Sequence, residues 1–310
     1  MSTPPPPSRR AFRHPFEGPA LRRVLMRFAR ATPPIAQRLV VPPATGLFYA
    51  ALPAARRAIE SNLEQVLGPT SAFERHRRAY LLLIYYAQSV TYLYALHSGA
   101  PLPVDVTFVN RERIDACLAE GNGAITTTGH FGAWQLMPYL LRDRQDARHV
   151  TMAMAEEPNR HVSDFEREVR SQFDIVYTTA SPFALLDLHK VLRRGELVGM
   201  QLDRQIGAGH MALPFFGKPA SFPIGATLLA RLARCPIVPV FAVYPDGDRS
   251  RVEVHYEEPI RVAHTRDRYA DLREALERTV AVYEKWVRRY PLQWFNFYDF
   301  WAPPTEPSSM

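Results

Sequence analysis

From about residue 104 onward the chain alternates short apolar, β-branched runs with amphipathic stretches, and this alternation constrains its fold more than any other feature. A buried strand is uniformly apolar or has period 2, whereas an amphipathic helix has period 3.6. A chain that keeps switching between them buries both kinds of face as an α/β sheet covered by helices. The runs predict strands at 124–128, 150–155, 175–179, 197–202, 237–244 and 251–255. Between and after them the periodicity predicts helices at 111–120, 133–142, 162–172, 183–194, 224–234 and 269–290.

Upstream the pattern is purely helical. Residues 54–67 are periodic, and 71–97 form a long Tyr- and Leu-rich stretch with its charges confined to Glu74–Arg78. Ahead of them lie a basic, apolar segment at 21–30 and an uncharged run at 39–55 interrupted by Pro42, Pro43, Gly46 and Pro53. No segment has the roughly 18 to 20 uninterrupted apolar residues of a spanning helix. Arginines at headgroup level with Leu, Phe and Tyr below them suit attachment at a membrane interface. An amphipathic helix packed on its own domain would carry the same pattern. Without repeats or a long linker, the chain divides into a disordered N-terminus (1–19), a helical, membrane-associating region (20–100), an α/β core (101–302) and a disordered tail (303–310).

Charge and cysteine usage narrow the partners. The net charge of +7 calls for something anionic: phospholipid, nucleic acid or an acidic carrier protein. Most of the basic residues are Arg, which grips phosphate bidentately, although Arg and Ala usage also rises in GC-rich genomes. Cys117 and Cys235 have neither metal-ligand nor redox spacing and read as reduced core residues of a cytosolic protein. Met1–Arg10 lacks the apolar run of a secretory signal, so export is not expected. There is no Gly-x-Ser-x-Gly elbow, Walker loop or dinucleotide fingerprint, and no basic-aromatic recognition motif. Serine hydrolase chemistry, nucleotide-dependent chemistry and nucleic-acid binding are therefore not expected. No metal site is expected either.

The segment Ala124 to Gln135 concentrates the chemical interest. An apolar strand runs into Gly129-His130-Phe131-Gly132, and a helix begins just beyond. His130 would then sit at the carboxyl edge of a strand, where open α/β sheets collect ligands. Taken alone, the motif is weak, and a satisfied structural histidine is the more common explanation for it.

Downstream blocks extend the pattern. Gly129-His130-Phe131-Gly132-Ala133-Trp134-Gln135 resembles the His-x4-Asp/Glu motif of bacterial lipid A acyltransferases and of relatives that acylate phosphatidylinositol mannosides and other lysolipids. Gly195-Glu196-Leu197-Val198 through Asp203-Arg204-Gln205, Leu213 through Ala220, Gly225 to Ala230, and Ile237-Val238-Pro239-Val240 resemble the blocks that follow it in that family. Ser61-Asn62-Leu63 is similar to its early Asn-Leu signature, and Tyr290 to Phe295 to its terminal Pro-x-Gln-Trp/Tyr block. The resemblance covers roughly residues 20 to 300.

It implies a glycerolipid acyltransferase-like fold, a layered mixed β-sheet flanked by helices with an N-terminal helical membrane-associating element. It also implies acyl transfer from acyl-carrier protein or acyl-CoA, as co-substrate and without a cofactor, to a hydroxyl or amine of a lipid such as a lipid A precursor, lysophospholipid or glycolipid. The place implied is the cytoplasmic face of a bacterial inner membrane. His130 would be the general base, with an imidazole pKa suited to taking a proton near neutrality and returning it to the thiolate. Phe131 and Gly132 would offer N–H groups to the oxyanion. Arg170 matches an arginine on the phosphate side of the family's site, and Asp203 matches the acid of an Asp-x-Asp segment whose second acid is here Gln205. Phe215, Phe216 and Gly217 would shape the acyl wall or mouth, although paired aromatics are commonly core. Arg204 would meet lipid phosphate.

One position departs from the family pattern, because Gln135 stands where the family has Asp or Glu. An amide carbonyl can fix the histidine tautomer but stabilises an imidazolium poorly. Three readings follow: a working but altered His130–Gln135 dyad, a substitute carboxylate such as Asp203, Glu156 or Glu157, or an impaired relative that binds membrane lipid without turning it over.

Overall fold

The computed structural model describes residues 19–100, 104–142, 150–155, 174–178, 183–204 and 209–302. Four helices lead: α1 (Pro19–Ala31), α2 (Pro34–Ala51), α3 (Pro53–Leu67) and α4 (Ala72–His97). The basic stretch at 21–30 falls within α1. The prolines read as interruptions of 39–55 do not divide it where expected, because α2 runs through Pro42 and Pro43 and the break comes at Leu52, ahead of Pro53. Ser71 caps α4 by accepting the Glu74 N–H at 3.2 Å. By length and composition α4 is apolar enough to cross a membrane, yet half of its apolar window is buried inside the protein. Its inward face, including Ala79, Leu82, Ser89 and Tyr92, packs against the rest of the protein.

The second part follows as β1 (Asp105–Val109), α5 (Glu112–Ala119), β2 (Ala124–Thr128), α6 (Met137–Arg142), β3 (Val150–Met154), β4 (Asp174–Tyr177), α7 (Ala184–Arg193), β5 (Leu197–Gln201), β6 (His210–Phe215), β7 (Lys218–Pro223), α8 (Gly225–Ala233), β8 (Ile237–Val243), β9 (Arg251–Tyr256) and α9 (Arg268–Arg289). Seven strands form a mixed sheet in the order β1-β9-β8-β2-β5-β3-β4, parallel except where β9 runs against β8. β8 is buried at every position, as its unbroken apolar sequence requires of a strand covered on both faces. The layered α/β class expected from the alternation is what the chain adopts.

All six expected strands form, within a few residues of their expected ends. Three further strands escaped the sequence reading. β1 is a short edge strand whose residues are all at least partly exposed, so it lacks an apolar signature. β6 and β7 form a separate antiparallel hairpin whose sequences contain Pro214, Pro219 and Pro223, residues that argue against strands in a large sheet but are tolerated in a two-stranded one. Its turn, Phe216-Gly217, has positive φ at both positions (49° and 77°), the demand of a type I′ hairpin. The helix expected at 162–172, most of the first disordered end and the tail at 303–310 lie outside the described residues, whereas Pro19 is already helical. Cys117 and Cys235 are buried and unbridged, and burial pushes the Cys235 thiol up to about 12.

One relationship in the sheet positions the site. β2 and β5 are parallel neighbours, with Thr128 opposite Gln201. The chain therefore leaves the sheet at two adjacent points, and the residues two steps beyond each, His130 and Asp203, emerge side by side.

Candidate active site

His130 and Asp203 are bonded twice. The Asp203 carboxylate accepts the His130 backbone N–H at 2.8 Å through one oxygen, and the other oxygen lies 2.7 Å from Nδ1. An ionised carboxylate only accepts, so Nδ1 carries the proton and Nε2 keeps its lone pair. Asp203 has no exposed side-chain surface, while that of His130 is 13% exposed. The pair therefore has its acid inside and its imidazole at the margin of solvent.

Elements distant in sequence complete the acid's surroundings. From α9, the Tyr283 hydroxyl donates to Asp203 Oδ2 at 2.7 Å. From the segment after α9, Asn296 Nδ2 donates to the same oxygen at 3.3 Å, and the Tyr298 hydroxyl donates to the Asp203 carbonyl at 2.9 Å. Burial alone would push the Asp203 carboxyl up. The charge and hydrogen bond of His130, then Arg204 and Tyr283, outweigh it and hold the carboxyl well below its usual range. Burial and the charge on Asp203 raise the Tyr283 phenol, which stays a protonated donor.

His130 is pulled both ways. Burial, then the Arg204 cation, lower its pKa, and Asp203 opposes them without reversing the shift. The imidazole is neutral near pH 7, the state required of a base. The Arg204 Nε lies 3.2 and 3.3 Å from the two ring nitrogens. Because Nδ1 is already a donor, the Arg204 N–H can donate only to Nε2. The guanidinium also lies 5.2 Å from the centroid of the Tyr298 ring, and the Trp134 indole packs edge-on against the imidazole at 4.6 Å.

The two glycines around His130 have separate physical reasons. A Cβ on Gly129 would overlap the Tyr283 hydroxyl. Gly132 has φ +58°, and a Cβ there would run into the Ala242 carbonyl of β8.

A family model for bacterial lipid A biosynthesis acyltransferase matches residues 7–302. The chain belongs to that family. Membership makes it an acyltransferase of lipid biosynthesis, an enzyme that takes an acyl donor and a lipid acceptor. No curated protein matches the sequence. Among solved structures, the 1-acyl-sn-glycerophosphate (LPA) acyltransferase PlsC from Thermotoga maritima is similar at 16% identity, covering 80% of this chain and 96% of that one with a TM-score of 0.35.

Several expectations for this family member change with the geometry. The carboxylate at His130 is Asp203, one of the substitutes open from sequence, and not the residue at the family's acid position. Gln135 lies in a short 3-10 turn, Trp134–Leu136, and its Oε1 is buried without a hydrogen-bond partner. The expected oxyanion donors are already engaged: the Phe131 N–H donates to the Gly129 carbonyl at 2.8 Å and the Gly132 N–H to the Gln293 carbonyl at 2.7 Å. Close packing, not an oxyanion, accounts for Gly132.

Phe215 is fully buried and stacks on Tyr283 and Trp301 at 5.7 and 5.9 Å, so it is core rather than acyl wall. Phe216 is buried too, its N–H donating to Glu284 at 2.9 Å and its ring covered by Arg288. Gly217 serves the hairpin turn. Arg170, Glu156, Glu157 and Gln205 lie outside the described residues. The sequence reading missed Tyr283, Asn296 and Tyr298 as neighbours of the site. None of the three lies in a block that carries the resemblance, the nearest being Tyr290 to Phe295, which ends one residue before Asn296.

Proposed function

We propose that the protein transfers a fatty acyl chain from the thioester of acyl-carrier protein or acyl-CoA to a hydroxyl or amine of a lipid acceptor, with His130 as general base and Asp203 as the carboxylate that orients it. The observation that carries this reading is the 2.7 Å bond from His130 Nδ1 to a buried, ionised Asp203, which makes Nε2 the unprotonated nitrogen of the ring, able to take a proton once Arg204 moves aside. Candidate acceptors are a lipid A precursor, a lysophospholipid or a glycolipid.

In the reaction, Nε2 takes the acceptor's proton as its oxygen forms a bond to the thioester carbon. The C–S bond then breaks, and the same proton passes to the departing thiolate. Asp203 stabilises the transient imidazolium, and Tyr283 and Asn296 hold Asp203 in place. At rest Arg204 covers Nε2, so it must give way when the acceptor enters. Its cation then suits a phosphate on donor or acceptor, or the charge developing on the oxyanion. Because Asp203 supplies the carboxylate, Gln135 does not by itself imply an impaired enzyme.

Attachment to the cytoplasmic face of a bacterial inner membrane is part of this reading. Leu39 and Leu47 of α2 are each 75% exposed and Phe73 at the start of α4 is 78% exposed, and Arg23, Arg27 and Arg30 of α1 are exposed as well. Exposed basic and apolar residues of this kind in the leading helices suit headgroups and the acyl boundary.

The test offers purified protein in detergent acyl-carrier protein or acyl-CoA carrying a labelled acyl chain, with a total lipid extract, and reads products by mass spectrometry. A new acylated lipid that disappears in His130→Ala and Asp203→Asn is expected. No product from wild type, with lipid still bound, would favour a lipid-binding role instead.

A further inference from the structure

The segment after Trp294 grips both members of the pair while having almost no regular structure of its own. Phe295 donates its N–H to the His130 carbonyl at 2.7 Å. Asn296 and Tyr298 reach Asp203 at 3.3 and 2.9 Å. Yet residues 295–297 belong to no strand or helix, and beyond the single bridge between Phe131 and Trp294 no ladder fixes their backbone. A segment in that condition needs some other set of bonds to stay in place.

Those bonds come from one side chain on α3. Asn62 is 2% exposed, and its amide nitrogen donates to the carbonyls of Asn296 at 3.1 Å and Tyr298 at 2.8 Å. Its oxygen accepts the Phe300 N–H at 3.1 Å. Both amide protons and the carbonyl are therefore spent on the segment that holds His130 and Asp203. Three bonds from one buried amide to alternate residues do the work of a missing neighbouring strand.

We propose that Asn62, which touches neither His130 nor Asp203, is a positioning residue for that pair, acting through residues 296–300. The proposal rests on the His130–Asp203 reading above. Without Asn62 the segment loosens, Asp203 loses the support of Asn296 and Tyr298, and the imidazolium loses part of its stabilisation. The effect falls on the chemical step, so kcat drops and KM holds.

The experiment uses the full-length protein and compares Asn62→Ala and Asn62→Asp with Asp203→Asn and Gln37→Ala. Asn62→Asp keeps the shape and the acceptor for Phe300 but removes both donors, and so covers the case in which alanine does not fold. Gln37 is an equally buried amide whose nitrogen bonds the carbonyls of Ala29 and Thr32, and it serves as a control for lost stability. The readouts are kcat and KM per folded enzyme, and His130 titration followed by NMR, which needs no substrate.

Asn62→Asp is expected to lower kcat about 10- to 100-fold, the scale of a misplacement near 1 Å. It also moves the His130 titration to lower pH, because Asp203 is what raises it. Gln37→Ala loses stability with both readouts unchanged. If the Asn62 variants match Gln37→Ala while Asp203→Asn shifts the titration, Asn62 is only structural and the proposal falls. If Asp203→Asn itself leaves activity and titration unchanged, the underlying pair is at fault.

Discussion

Gly129 and Tyr283 compete for one space: the Tyr283 phenol lies where a Cβ on residue 129 would be, and this close approach lets its hydroxyl reach Asp203 at 2.7 Å. Gly129→Ala must therefore push the ring away from the acid. The expected cost is about 1–3 kcal/mol, the usual range for overpacking, together with a fall in kcat. Denaturant unfolding and acyl-transfer rates measure the two effects, and an alanine variant as stable and active as wild type would contradict the packing described.

The pH dependence has a definite sign. Burial and Arg204 hold His130 below its ordinary 6.5, so the acid limb of kcat/KM lies below pH 6.5. Arg204→Gln removes a cation that disfavours imidazolium, and the limb should move to higher pH. Asp203→Asn removes the group that favours it, and the limb should move lower while the plateau falls.

Stability follows the same groups. An unfolded chain protonates His130 near pH 6.5 and the folded chain resists doing so, which weakens the fold as pH drops from 6.5 through the lower folded value. Asp203 works the same way further down. Its depressed folded pKa contributes stability above 3.8 that is lost as pH falls through that depressed value. Unfolding in Asp203→Asn should therefore depend less on pH below 3.8 than in wild type.

Gln135→Glu tests whether the family's acid position matters here. With Nδ1 already committed to Asp203, and with the Gln135 Oε1 buried and unpartnered, a carboxylate gains no partner in its place. A loss of about 1–3 kcal/mol in stability and no gain in kcat are expected. A large rise in kcat would identify Gln135 as a defect.

Gln293 ties the terminal block to the residue that follows β8. Its amide donates to the Tyr244 carbonyl at 2.8 Å and accepts the Tyr244 N–H at 3.0 Å. Gln293→Ala leaves two buried backbone groups unpaired and should cost about 2–4 kcal/mol. A thermal melting midpoint well below that of wild type is the expected result, and an unchanged midpoint would contradict the role given to these two bonds.

The sheet was legible because β5 and β8 are apolar runs and β2 is a β-branched one, each bounded by clear breaks, a signal that survives without tertiary context. The hairpin was not, since Pro214 and Pro219 read as strand breakers until the chain is known to pair only with itself there. His130 stood out through its flanking glycines. Asp203 was visible through the family's Asp-x-Asp segment and as one of several substitute acids, but not as the partner of His130, because the register of β2 against β5 decides which carboxylate lands beside Nδ1. Tyr283, Asn296 and Tyr298 gave no local signal, since their role arises from long-range packing and not from spacing.

That long-range packing sets an order of events during folding. The bonds to Asp203 from Tyr283 and Asn296 span 80 and 93 residues, and those from Asn62 to the terminal segment span 234 or more. Contacts so far apart form late in folding. A chain in which residues 295–300 have not yet docked would have its sheet but not its finished acid, so transfer activity should appear only after that segment is in place.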